Sequence, residues 1–286
     1  MKREKNIWLY SFIFSFFLFP LVVLSPRPRI LEEDNYIAVT YGVSVSYAKW
    51  IPDDHPSRNI TSYLSYKGEK LGTGMSFSVG PNEVLKIHFS DNYINSLENF
   101  FNAGYDKNSA NIISVDLTNF HSSLLYSLRG MFSGCSNLVS INLLNFDTSK
   151  VEDMNSMFQG CSNLVSINLL NFDTSKVENM NSMFQGCSNL VSINLSNFDT
   201  SNVQNMDGMF NGCSKLEYLD ISNFNFSSLK VENIKIFDGT KQLKYIRIYS
   251  IQNYQAIEDD FFSKFNEEDG LIVYLYFFIF LLLIIF

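Results

Sequence analysis

Three histidines, four cysteines and one recurring aspartate are the residues with which this chain could do chemistry. The histidines are His55, His88 and His121. They are far apart in sequence and form no metal-ligand spacing, so each reads as a solvated side chain rather than a ligand or general base. The cysteines, Cys135, Cys161, Cys187 and Cys213, follow one another at intervals of 26 residues. That spacing is neither a C-x-x-C metal site nor a scattered disulfide framework. It makes one column of a repeat: a ladder of small buried thiols, or cysteines near enough in adjacent copies to pair as disulfides. Asp147, Asp173 and Asp199 form a second column. Stacked carboxylates are hard oxygen ligands suited to Ca²⁺. Asp before Thr-Ser is also a turn former whose side chain bonds nearby backbone, and this structural role is the favoured one. A methionine column, Met154, Met180 and Met206 with Met157, Met183 and Met209, reads as core filler beside phenylalanine rather than a copper ladder. There is no phosphate loop and no G-x-S-x-G elbow. The expectation is a protein that is not an enzyme, with no catalytic residues, no cofactor and no metal.

The elements that position these columns are set by the period. LVSINLLNFDTSKVEDMNSMFQGCSN from Leu138 is followed by LVSINLLNFDTSKVENMNSMFQGCSN, the two differing only at Asp153 against Asn179, and a looser copy follows from Leu190. Self-similarity at such a period points to a repeat array. Leu138-x-x-Ile141-x-Leu143-x-x-Phe146 is close to a leucine-rich-repeat strand. Ser149 with Glu152, Ser175 with Glu178 and Ser201 with Gln204 have capping-box spacing. Val151, Met154 and Phe158 would share one stripe of a helix, which Gly160 would end. Each rung is therefore expected to be a strand plus a helix of about two turns, too short to stand alone. The period continues weakly, with strands at Ile87/Phe89, Val115/Leu117, Leu219/Ile221 and Ile246/Ile248. That gives an α/β solenoid of about seven rungs over residues 86–250, with its best copies at 138–215.

The flanks differ. Lys2, Arg3 and Lys5 precede the apolar run Ile7 to Leu24, so residues 1–25 read as a signal peptide or an uncleaved signal-anchor. Residues 26–34 are a linker. Residues 35–89 contain an alternating run, YIAVTYGVSVSY, then ITSYLSY, MSFSV and VLKIHF. This is a small β-rich region, expected to cap the N-terminal end of the array or to form a separate ligand-binding domain. Residues 251–270 are acidic. Residues 271–286, LIVYLYFFIFLLLIIF, carry no charge. They are expected to be a hydrophobic membrane segment, the removable tail of a lipid anchor, or the end of a truncated gene. Membrane, cell-surface or extracellular localisation is the consequence.

The unit N-L-x-S-I-x-L-x-N-F-D-T-S-x-V-x-x-M-x-x-M-F-x-G-C runs from Asn137 to Cys161, from Asn163 to Cys187 and from Asn189 to Cys213. It resembles the BspA-type leucine-rich-repeat surface-protein family, with weaker copies extending the likeness over about Val115 to Ile248, nearly half the chain. The resemblance implies a right-handed leucine-rich-repeat array associated with adhesion or matrix contact, and it implies no catalytic residues. His121 in place of the turn aspartate, Thr240 in place of a cysteine and an inserted residue near Phe226 depart from it.

The net charge of −8 excludes nucleic acid as a partner, since phosphate binding needs a basic face. The working surface is expected on the open strand face. Its columns are Ser140, Ser166, Ser192 and Tyr218; Asn142, Asn168, Asn194 and Asp220; and Leu144 and Leu170, continued by Ser196 and Ser222. The expected function is non-enzymatic adhesion, or binding of a protein or glycan, through this face. The alternative is a purely structural repeat protein of an envelope or extracellular matrix. Three sequons, at Asn59, Asn194 and Asn225, are candidate glycan sites.

Overall fold

Alternation of apolar and polar residues in YIAVTY sends Ile37, Val39 and Tyr41 inward and forms strand β1 (Tyr36–Tyr41). The computed structural model describes residues 35–47, 62–66, 69–71, 77–89, 94–230, 235–248 and 272–275, all within the unit Asn35–Phe286. The other strands are β2 (Val45–Tyr47), β3 (Ser62–Tyr66), β4 (Glu69–Leu71), β5 (Phe77–Val79), β6 (Val84–Phe89), β7 (Ile112–Asp116), β8 (Ser140–Asn142), β9 (Ser192–Asn194), β10 (Tyr218–Asp220), β11 (Tyr245–Ile248) and β12 (Ile272–Leu275). They form a six-stranded sheet in the order β4-β3-β6-β1-β7-β8, a four-stranded sheet β12-β11-β10-β9, and the pair β2-β5. The run YIAVTYGVSVSY is broken at Gly42. A Cβ there would lie 2.7 Å from the Ile113 side chain, and the Gly42 amide donates to the Asn111 carbonyl at 2.9 Å. The chain therefore leaves one sheet at Gly42 and enters another at Val45.

β1 joins two kinds of pairing. It is antiparallel to β6, with Ile37 opposite Ile87, and antiparallel to β7, with Val39 opposite Val115. From β7 onward the pairing between copies is parallel: Val115 faces Ile141, Ile193 faces Leu219, and Leu219 faces Ile246. The strand at Ile87/Phe89 is thus not a rung stacked on Val115, because β1 lies between them.

The short helices are absent, and the backbone hydrogen bonds explain why. The amides of Met157, Gln159 and Cys161 bond three residues back, to Met154, Ser156 and Phe158, as successive tight turns. The intervening amides of Met154, Ser156, Phe158 and Gly160 leave the segment and donate to the carbonyls of Asn179, Asn181, Met183 and Gln185 in the next copy, at 2.7–2.9 Å. An α-helix needs each of these amides for its own i−4 carbonyl, so sharing them with the next copy excludes one. The capping boxes fail for the same reason. The Glu178 amide donates to the Glu152 carbonyl and the Gln204 amide to the Glu178 carbonyl, both at 2.8 Å. Ser127, Asp153, Asn179 and Asn205 are joined by parallel bridges in succession. Among the described residues the only helical element in the element order is one 3-10 turn, Lys107–Asn111. The expected α/β solenoid, a right-handed leucine-rich-repeat array of strand and short-helix rungs, is therefore corrected. The described residues are sheet and turn, their strands fall in separate small sheets, and Ser166–Asn168 forms no strand.

What the copies do share is a common core. Phe132, Phe158, Phe184 and Phe210 stack at ring-centroid distances of 5.6, 5.6 and 5.7 Å. Phe146, Phe172, Phe198 and Phe224 form a second stack at 6.2, 6.5 and 6.4 Å. The methionine column is fully buried in the same core. Burying each such side chain stabilises by about 1.5–3 kcal/mol before entropy is subtracted.

Membrane attachment through the terminal apolar segments is also corrected. No helix among the described residues is long and apolar enough to cross a membrane. Ile272–Leu275, within the C-terminal apolar run, is strand β12, parallel to β11, with Ile246 opposite Val273. A transmembrane helix there, and the membrane or surface localisation that depended on it, lose their support. The N-terminal signal peptide or signal-anchor at residues 1–25 lies outside the described residues.

Candidate functional site

Strand alternation places Ile193, Leu219 and Ile246 in the core and turns their neighbours outward. Ser140 and Asn142 on β8 and Ser192 and Asn194 on β9 are exposed, as are Ser166 and Asn168 in the copy between them. Leu144 and Leu170, two residues after Asn142 and Asn168, are 72% and 56% exposed. The asparagine column has a definite role in the backbone. The Oδ1 atoms of Asn142, Asn168 and Asn194 accept from the amides of Leu144, Leu170 and Ser196 at 3.3, 3.1 and 2.9 Å. Asp116 and Asp220 accept in the same way from Thr118 and Ser222. The carboxamide oxygen thus turns the chain at the same point of each copy, while the Nδ2 groups of the three exposed asparagines have no hydrogen-bond partner among the described residues.

Asp220 departs from the expected solvent-facing column. It is largely buried, and its Oδ2 accepts from Arg247 Nη1 at 3.0 Å. Tyr218 is 49% exposed and stacks on Tyr245 at 4.8 Å. Tyr245 and Arg247 were not singled out by the sequence. Their copy starts 27 residues after the previous one, and the extra residue hides its register.

The other expected sites are placed as follows. Cys135, Cys161, Cys187 and Cys213 are fully buried free thiols. Each Sγ donates to a phenylalanine carbonyl (Phe101, Phe132, Phe158 and Phe184) at 3.1–3.3 Å. Burial pushes the Cys213 thiol up to about 12 and raises the other three as well. Asp147, Asp173 and Asp199 accept from the amides of Ser149, Ser175 and Ser201 at 2.9, 3.0 and 2.9 Å. A second bond, from the Ser175 hydroxyl, is the main reason the Asp173 carboxyl is held below its usual range. No group of three His, Cys, Asp or Glu side chains among the described residues could hold a metal ion. His88 is buried on β6, with its ring 5.3 Å from that of Tyr36, and His121 is exposed. His55 lies outside the described residues, as does Asn59. Asn225 turns the chain by accepting from the Ser227 amide at 2.9 Å.

Sequence reasoning missed a buried polar column. Thr148, Thr174 and Thr200 are fully buried, and their hydroxyls donate to the carbonyls of Asp173, Asp199 and Asn225 in the next copy, each at 2.9 Å. The Thr148 and Thr200 hydroxyls also accept from the amides of Asp173 and Asn225. The recurrence of threonine inside F-D-T-S was the available signal.

The structure is one of stacked copies, each bonded to the next through its turns. The family described as "Mycoplasma protein of unknown function, DUF285" matches residues 95–193 and 164–269. These matches together span well over half of the chain, and the chain belongs to that family. No curated protein and no solved structure matches it.

Proposed function

We propose that this chain is a non-enzymatic interaction protein that binds a repetitive protein or glycan partner through its strand face. One observation supports this above all. The outward Nδ2 groups of Asn142, Asn168 and Asn194 recur in three consecutive copies, held in one orientation by the backbone bond each carboxamide oxygen accepts. A row of fixed donors, one in each copy, suits a partner that is itself periodic, with many weak contacts adding up. The exposed leucines beside the row supply apolar area. The resemblance of the repeat unit to BspA-type leucine-rich-repeat surface proteins supports a binding role as well.

The test uses Asn142→Asp with Asn168→Asp. Aspartate keeps the acceptor that the turn requires, as Asp116 and Asp220 do naturally, but removes the donor and adds charge. Capture of polymeric ligands by the folded variant is expected to fall about tenfold or more, as lost anchor contacts do. Unchanged capture at an unchanged unfolding midpoint would sink the proposal and favour a purely structural array.

A further inference from the structure

At β10 and β11 the strand face changes character. β10 pairs with β9 and β11 in register, so that Ser192, Tyr218 and Tyr245 lie side by side, and next to them Asn194, Asp220 and Arg247. The inward residues between them, Ile193, Leu219 and Ile246, are buried; of the other six, Ser192, Asn194, Tyr218 and Arg247 are exposed, Tyr245 is half-buried and Asp220 is largely covered. The two tyrosine rings stack at 4.8 Å with an interplanar angle of 29°, and Tyr218 remains half exposed. Asp220 aligns the Arg247 guanidinium at 3.0 Å, and Lys244 pairs with Glu217 at 3.0 Å just outside the strands.

Resting on the strand-face reading above, we infer that this end of the face is a saccharide-binding platform, and that its ligand is a neutral hydroxyl-rich sugar unit of a glycan chain. The charges cancel in pairs, so the patch offers no surplus to an anionic ligand. The backbone of β10 is bonded on both sides, so it offers no edge to an extended peptide. A rigid aromatic surface beside fixed polar groups suits a ligand with one apolar C–H face and a rim of hydroxyls. The exposed Tyr218 ring takes the C–H face. The Asn194 carboxamide, the Ser192 hydroxyl and the Arg247 guanidinium meet the hydroxyls.

The full chain is applied to an array carrying neutral oligosaccharides of glucose, galactose and N-acetylglucosamine, together with sulfated and sialylated glycans and fibrous proteins. Tyr218→Ala and Tyr218→Phe are applied in parallel, with Ser192→Lys on the neighbouring exposed position as a second blocking variant in case Tyr218→Ala does not fold. Neutral sugars are expected to bind, with about a tenfold loss in Tyr218→Ala and in Ser192→Lys and little change in Tyr218→Phe, which keeps the ring. Neutral sugars bound equally by all variants would overturn the platform while leaving the wider face as the binding surface. Binding confined to acidic glycans or to proteins would overturn the sugar assignment alone. No binding to any glycan or protein polymer would overturn both this inference and the proposed function.

Discussion

Ser156 and Ser182 hold the backbone in the left-handed region, each at φ 55°, where the flanking copies have Gly130 at 59° and Gly208 at 66°. A non-glycine residue there costs about 1–2 kcal/mol, partly offset by the greater unfolded-chain freedom of glycine. Ser156→Gly with Ser182→Gly is therefore expected to stabilise the protein by up to about 1 kcal/mol, read as a higher urea midpoint; a lower midpoint would contradict this. Thr148 gives the opposite test. Its hydroxyl donates to the Asp173 carbonyl and accepts from the Asp173 amide, both at 2.9 Å. Thr148→Val leaves both groups unpaired and is expected to cost about 2–4 kcal/mol in urea unfolding, whereas Thr148→Ser should restore most of it. The four thiols set a pH dependence. Burial raises their pKa in the folded protein, that of Cys213 to about 12. Their contribution is complete below the ordinary thiol range near 8.5 and is lost as pH rises from there toward the folded values. Each thiol then favours unfolding by about tenfold per pH unit. Stability should fall steeply in alkaline titration, and a Cys213→Ala variant should fall less steeply. An identical slope would count against the buried-thiol account.

At the scale of elements, apolar spacing misled where hydrogen bonding decided. Val151, Met154 and Phe158 share a stripe at helical spacing, and all three are buried. The pattern is equally served by consecutive turns whose inward residues are those same side chains. What distinguishes the two is the destination of alternate amides, which lies 25 residues away in the next copy and leaves no trace in a local window. The near-identity of the copies was the usable sign, since identical segments can stack in register and share ladders of bonds. The strands were easier to read, because alternation fixes which side is buried. Hence Ser140, Asn142, Ser192 and Asn194 were recognisable as outward residues. Tyr245 and Arg247 were not, because the irregular last interval obscures the register. The apolarity of the C-terminal run suits a membrane segment or a lipid-anchor tail, and it equally suits a strand added to a parallel sheet, as β12 is. Far-UV circular dichroism should lack a helical signature over the whole cooperative transition. A strong helical signal lost together with the core would contradict the turn-and-strand copy.

For the whole molecule, the consequence is modularity. Copies 138–163 and 164–189 differ only at residue 153 against 179. Each bonds its neighbours through equivalent atoms: the Met154 amide reaches Asn179, and the Met180 amide reaches Asn205. Deleting residues 164–189 therefore brings together two surfaces that already match, and the shortened chain should fold with one layer's less stability. Binding should change more than folding does. If the strand face reads a periodic partner through many weak contacts, removing or adding a copy changes the number of contacts made at once. A short sugar held only at Tyr218 would be indifferent to the change. The most direct test is the affinity of three chains, with residues 164–189 deleted, present once or duplicated, for one immobilised polymeric ligand. Multivalent binding by the strand face predicts affinity rising stepwise with copy number. Equal affinity across all three folded chains would contradict it.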